Sequence, residues 1–194
     1  MKRLLLGLLV LCSVAVAQTG VVSVERSGVP FFATIAPGQG AIFNIEGKNT
    51  GTVSFTGRVW CTIWDVTTGT REEASTSDVQ LYIVKDSQET LCENEGRLCY
   101  FPSKEGTQLN PGDKITGKLK VVLGSGCSTS KRFELECAMD YRTLQGVWMV
   151  VPNSGSSETV EVAPPDAKTW IELAQIVFFI GGSGLLIYGL TRVM

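Results

Sequence analysis

The chain reads as an all-β, antiparallel sandwich followed by one C-terminal transmembrane helix, and three observations predict this. Runs with apolar residues at every second position recur from Val21 to Val162, the period of a strand with one buried face. Turn signals rich in Gly, Pro, Asn and Ser separate them roughly every ten residues, the spacing of a sandwich rather than of α/β units. No helical periodicity of useful length appears until LAQIVFFIGGSGLLIYGL (173–190), which holds only Gln175, Ser183 and Tyr188 as polar residues. As a helix that stretch spans roughly 27 Å, about one hydrocarbon core.

Both chain ends bear on topology. MKRLLLGLLVLCSVAVAQ has a basic start, an apolar run from Leu4 to Val16 and small residues at Ala15 and Ala17. That is the pattern of a signal peptide cut after Ala17. Trp170 and Tyr188 bracket the C-terminal apolar run, as interfacial aromatics do. The predicted organisation is a signal peptide (1–17), an extracytoplasmic β-domain (18–164), a juxtamembrane spacer (165–170), a transmembrane helix (171–191) and a cytoplasmic tail (192–194). The expected location is a cell membrane, single-pass, with the N-terminal domain outside the cytoplasm. The bilayer is then an obligate partner.

Along the domain, VVSVERS (21–27) and FFATIAP (31–37) are short β-type runs, kept near a sheet margin by Pro30 and Pro37. PGQG turns the chain. AIFNIEG (41–47) puts Ala41, Phe43 and Ile45 on one face. VSFTGRVWCTIWDV (53–66) is the strongest strand, with Phe55, Gly57, Val59, Cys61, Ile63 and Asp65 on one face and Arg58, Trp60, Thr62 and Trp64 on the other. VQLYIVK (79–85) is a further strand. Residues 86–111 read as a long excursion with one short strand near 98–101. ITGKLKVVLGSG and KRFELECAMDY alternate strictly and are joined by what reads as a hairpin-like turn. GVWMVVP (146–152) and ETVEVAP (158–164) complete eight or nine strands.

The segment PG, AIFNIEG, KNTG, then a second strand resembles the first half of immunoglobulin-like modules of bacterial and archaeal surface proteins. The matching residues are Pro37, Gly38, Phe43, Ile45, Lys48, Asn49, Thr50 and Gly51. Leu109, Pro111, Gly112 and Asp113 resemble a second copy of the motif. The resemblance covers about 30 residues well and implies an immunoglobulin-like sandwich used in adhesion and scaffolding. It carries over no catalytic or binding residue.

Five cysteines remain after the signal peptide, and an extracytoplasmic location permits disulfides. Cys61 and Cys137 both point at the core from well-formed strands, so an inter-sheet bridge of the immunoglobulin kind is expected between them. Cys92 and Cys99, in CENEGRLC, are placed to staple the irregular loop. Cys127 is then unpaired. The rival scheme joins Cys127 to Cys137 and leaves Cys61 free. A metal site built from Cys92, Cys99 and Glu93 or Glu95 is disfavoured, since the spacing matches no zinc knuckle.

Composition bears on function by exclusion. The chain has 17 Lys and Arg against 19 Asp and Glu. Removing Lys2, Arg3 and Arg192 from one count and Glu172 from the other leaves 14 against 18 in residues 18–169. The signs are interspersed, which argues against a nucleic-acid partner. Histidine is absent, and with it the commonest general base and metal ligand. No catalytic residue, cofactor or metal is expected. Glu134 and Glu136 are expected to pair across strands with Lys118 and Lys120. Trp60 and Trp64 either lie beneath a neighbouring loop or form a partner surface. In the membrane helix, Gly181, Gly182, Ser183 and Gly184 allow close backbone approach, and Gln175 adds a hydrogen-bonding group. The expectation is a non-enzymatic, membrane-anchored structural or accessory subunit of a surface or membrane complex, packing through its helix against other membrane-protein subunits or itself. A surface adhesion or ligand-recognition module is the alternative, and an envelope enzyme the disfavoured third.

Overall fold

The computed structural model describes residues 18–27 and 34–163. The signal peptide, spacer, transmembrane helix and tail expected above lie outside these residues, as do Gln175 and the Gly181–Gly184 cluster. Among the described residues no helix is long and apolar enough to cross a membrane.

Among the described residues, thirteen strands form two sheets. The first is ordered β1 (Gly20–Arg26), β3 (Gly40–Asn49), β10 (Lys114–Leu123), β6 (Val79–Lys85), β7 (Gln88–Leu91). The second runs β2 (Thr34–Ile35), β13 (Ser156–Val162), β11 (Arg132–Arg142), β4 (Phe55–Asp65). Three short strands then succeed one another along the far margin of β4: β9 (Thr107–Leu109), β8 (Leu98–Phe101) and β5 (Glu72–Glu73). A final strand, β12 (Trp148–Val150), pairs with the end of β11. Among the described residues all strand pairings are antiparallel except β13 with β2.

The alternating apolar faces meet between the sheets. Phe43, Ile45, Leu81, Leu119 and Leu123 of the first face Val59, Ile63, Phe133, Leu135 and Met139 of the second, all buried. Burial of this apolar area, at about 25 cal/mol per Å², is the main term holding the layers together. Two glycines set how closely they approach. A Cβ added to Gly117 would run into the ring of Phe101, and one on Gly47 into Val59 and Met139.

One end of the sandwich is closed by Asn49, wholly buried. Its side-chain amide donates to the carbonyls of Val53 (2.9 Å) and Leu109 (3.2 Å), and its Oδ1 accepts from the Gly51 amide (2.9 Å). Its own main chain bonds to Asp113 and Gly112. The KNTG and LNPGD turns are thus tied together by one side chain.

Three expectations are corrected. There are more strands than eight or nine, because the excursion at 86–111 contributes β7 and β9 beside β8, and Glu72–Glu73 adds β5. The turn at 124–131 is not a hairpin: β10 and β11 belong to different sheets, so it arches between layers. For the same reason Lys118 and Lys120 do not pair with Glu134 and Glu136. Lys120 bonds to Glu89 of β7 instead (2.7 Å).

Gly117→Ala is expected to cost about 1–3 kcal/mol, because the added methyl overpacks against Phe101. Urea unfolding should show a lower midpoint at unchanged slope; an unshifted midpoint would mean the sheets are free to separate.

Candidate functional site

The site is built on β4 and β11. Their inner faces are filled, so the alternate side chains stand on the outer face of the second sheet. Register sets Arg58 opposite Asp140, Trp60 opposite Ala138, Thr62 opposite Glu136 and Trp64 opposite Glu134. Each indole reaches diagonally to the carboxylate two positions further along β11. Trp60 Nε1 donates to Asp140 Oδ1 (2.9 Å) and Trp64 Nε1 to Glu136 Oε2 (2.8 Å). The same offset, four residues apart, gives both rings the same pose.

Each carboxylate also holds an arginine. Arg58 donates through Nε and Nη2 to Asp140 Oδ2 (3.1 and 3.0 Å) and through Nη1 to the Lys104 carbonyl (2.7 Å). Both side chains of this pair are only 9% exposed. The guanidinium lies between the rings of Tyr100 and Trp148, 4.3 and 4.1 Å from their centres. This cation–π sandwich partly replaces the lost hydration of a buried charge. The second arginine, Arg71, arrives from the loop before β5. It grips Glu134 in bidentate fashion (3.1 and 2.7 Å) and reaches Glu136 (3.1 Å). Its hydrogen bonds hold the Glu134 carboxyl below the usual carboxylate range and raise Arg71 itself.

The arrangement is therefore a repeated tryptophan–carboxylate–arginine ladder. Trp60 and Trp64 are half-buried, and their polar atoms are already satisfied by acids in the sheet. Glu134 and Glu136, expected to meet lysines, meet Arg71. Sequence reading singled out the two tryptophans but not Arg71, Tyr100, Asp140 or Trp148 as their companions. Only the β4–β11 register could have identified Asp140.

That register places Cys61 directly opposite Cys137, with Cα atoms 4.1 Å apart, and the two form a disulfide. The expected inter-sheet geometry is corrected: β4 and β11 are neighbours in one sheet, and the bridge joins adjacent strands across the inner face. Cys92 and Cys99 form the second disulfide and flank the tight turn α1 (Glu93–Gly96). In that turn Asn94 and Glu95 take left-handed backbone angles. A cleft of about 180 Å³ lies beside this staple, walled by Ile83, Leu91, Leu98, Tyr100 and Pro102, with the Lys104–Glu93 ion pair at its rim. Cys127 is free and buried in the arch at 124–131. Burial first, and Asp78 second, push its thiol above the usual range. Among the described residues no group of three or more acids and cysteines is placed to hold a metal ion.

The ladder leads to a second feature. Past Trp148, the β11–β12 hairpin exposes apolar side chains: Leu144 wholly, Val147 57%, Val150 54% and Met149 49%. Its tip is closed by Thr143 N donating to the Val147 carbonyl (2.8 Å) and by Gly146 at positive φ. This is the end where Asn49 joins the turns. The chain leaves β13 at the other end, where Glu161 pairs with Arg132.

No family model and no curated protein matches the chain. Among solved structures, the chain is similar to AvmM, which catalyses macrocyclisation in alchivemycin A biosynthesis. That likeness has 16% identity over 76% of this chain and 91% of AvmM, with a TM-score of 0.51. Also similar is the cohesin module of a Clostridium perfringens family 33 glycoside hydrolase (9% identity, 75% and 98% covered, TM-score 0.43). A third is the CARDB domain of the PF1109 protein from Pyrococcus furiosus (10%, 76% and 90%, 0.41). The AvmM likeness concerns the fold alone, and at the lower scores nothing follows from the other two.

Two predictions follow from the ladder geometry. Asp140→Ala strands a buried guanidinium and an indole N–H, and is expected to cost about 3–5 kcal/mol. Arg58→Met with Asp140→Leu should recover much of that loss in denaturant unfolding. The second prediction concerns pH. Asp65, at the opposite end, would be raised by burial, but hydrogen bonds from Lys131 and Thr67 hold it below its ordinary value. Both Asp65 and Glu134 thus have folded pKa values below the unfolded ones. Their contributions are present above the unfolded values, near about 4, and are lost as pH falls through the folded ones. Thermal midpoints should therefore drop below about pH 4, and less steeply in Arg71→Gln.

Proposed function

We propose that the chain is a membrane-anchored, extracytoplasmic β-sandwich that binds rather than catalyses, and serves as a structural or accessory subunit of a surface or membrane assembly. The observation that carries this reading is the polarity of the domain. The chain leaves the sandwich at the β13 end toward the apolar stretch 173–190, while the apolar hairpin stands at the far end. A module anchored at one end and sticky at the other is arranged to bridge. The state of the outer-face acids also supports it: Asp140, Glu134 and Glu136 are each committed to an arginine, which suits a fixed surface better than proton transfer.

Recognition of an external ligand is the second reading. Its support is the pair of tryptophans held in one repeated pose on the outer face. Rings immobilised before contact lose little entropy on binding.

In the first reading the small-residue cluster Gly181 to Gly184 packs against a neighbouring helix. Full-length protein in mild detergent is expected to run well above 20.9 kDa plus its detergent. Gly182→Leu with Gly184→Leu should shift it toward the monomer. A monomer that is indifferent to the double substitution sinks the accessory-subunit reading.

A further inference from the structure

The margin strands of the two sheets are guarded in different ways. β1 carries Glu25 and Arg26, β7 carries Glu89, β5 consists of two glutamates, and β2 is two residues long; β8 and β9 are uncharged, and β8 is tied through Cys99 to the turn before it. Charge and shortness are the usual protections against edge-to-edge pairing. β12, Trp148-Met149-Val150, is also short and uncharged, but it differs in exposure: Met149 and Val150 stand about half exposed, one on each face, whereas Cys99 and Phe101 of β8 and Leu109 of β9 are buried.

Its hydrogen-bonding groups are turned outward. Thr143 N donates to the Val147 carbonyl and Val151 N to the Met139 carbonyl, with Met149 opposite Tyr141 between them. In an antiparallel ladder the paired residues alternate, so Val147, Met149 and Val151 face β11. The N–H and C=O groups of Trp148 and Val150 then point away from the sheet. Among the described residues no strand takes them up.

We infer that the occupant of this edge is β12 of a second copy, paired antiparallel about a two-fold axis through Met149. The inference rests on the reading of the chain as a membrane-anchored binding module. In that register Trp148 lies opposite the second copy's Val150, and each exchanges both main-chain bonds. Met149 meets Met149. The pairing is self-complementary, as an isologous interface requires, and it sets no like charges across the seam. The two cations beside Trp148 are already engaged, Arg58 by Asp140 and Arg142 by Glu105.

The axis of such a pair is perpendicular to the sheet, so the two domains run in opposite directions. From the Tyr141–Met149 level to the Arg132–Glu161 level is nine residues of β11, about 30 Å at 3.3 Å per residue. The two chain exits therefore lie roughly 60 Å apart, at opposite ends of the pair. Two copies in one membrane cannot pair this way. Two copies in facing membranes can, and the assigned function is homophilic contact between membranes.

Size is consistent with that use. The exposed apolar patch is four side chains, enough to mark a contact site but few beside the roughly 20–30 residues on each side of a standard interface. A single pair is weak, and many anchored copies act together through effective concentration.

The test uses the full chain reconstituted into phosphatidylcholine vesicles, with particle size followed by light scattering as surface density rises. Wild-type vesicles are expected to cluster severalfold in size. Met149→Lys vesicles and Met149→Glu vesicles should each stay dispersed while the domain stays folded, since the half-exposed side chain gives up only the contact of its sulfur with the Tyr141 hydroxyl (3.6 Å). Mixing the two should restore clustering, since residue 149 faces its own copy. Three results overturn the inference: no wild-type clustering at any density, clustering untouched by the substitutions, or clustering with empty vesicles, which would make the bilayer the occupant. If clustering fails while the detergent-solubilised protein still runs as a complex, the accessory-subunit reading survives and homophilic pairing alone falls.

Discussion

The register of β4 against β11 is the constraint on which the rest of the second sheet depends. Cys61 opposite Cys137 locks it covalently on the inner face. A slip of β4 by one residue would turn Val59 and Ile63 to solvent and bring Arg58 into the core, away from Asp140. With the register held, Arg58 meets Asp140 and both tryptophans find carboxylates at the same offset. The bridge closes a loop of 76 residues, which also narrows the unfolded ensemble in the chain-entropy account.

The outer-face ladder depends on that register in a second sense. A buried arginine–aspartate pair is weak support for stability when compared with apolar side chains of like volume. Its effect here is positional. Arg58 gathers Tyr100 of β8, the Lys104 carbonyl and Trp148 of β12 around one guanidinium. Three segments that pair only briefly with the central strands are thereby fixed. Asn49 does the equivalent work on the turns at the same end, bonding backbone groups of both Val53 and Leu109.

Period-two alternation made most of the long strands and their inward faces legible, because a face is a local property of the chain. Sheet membership is not local. KITGKLKVVL and RFELECAMDY alternate equally well, and the Gly- and Ser-rich link between them reads as a hairpin. The arch is fixed instead by contacts distant in sequence: Gly124 N to the Asp78 carbonyl, and Lys131 to Asp65 and Asp78. Strands β5, β7 and β9 are two to four residues long and largely polar. They exist because β4 and β6 offer free edges, a fact no window of that length contains. The KNTG motif was visible as a turn, but not as a tie, since the partner carbonyl at Leu109 lies 60 residues away. Likewise GVWMVVP announces a strand by β-propensity. Propensity does not say whether a second sheet lies over it, and here Met149 and Val150 remain open to solvent.

These two properties of the second sheet meet at Trp148. An exposed hairpin three residues wide would be marginal alone, and ordering it on contact would consume much of what a small apolar patch returns. The stack on Arg58 removes that cost beforehand. Because Arg58 is itself placed by the Cys61–Cys137 register, the covalent bond at the centre of the sheet determines the position of an edge strand whose middle lies four residues further along β11. An edge held in this way has its outward N–H and C=O groups spaced for an incoming strand before any strand arrives.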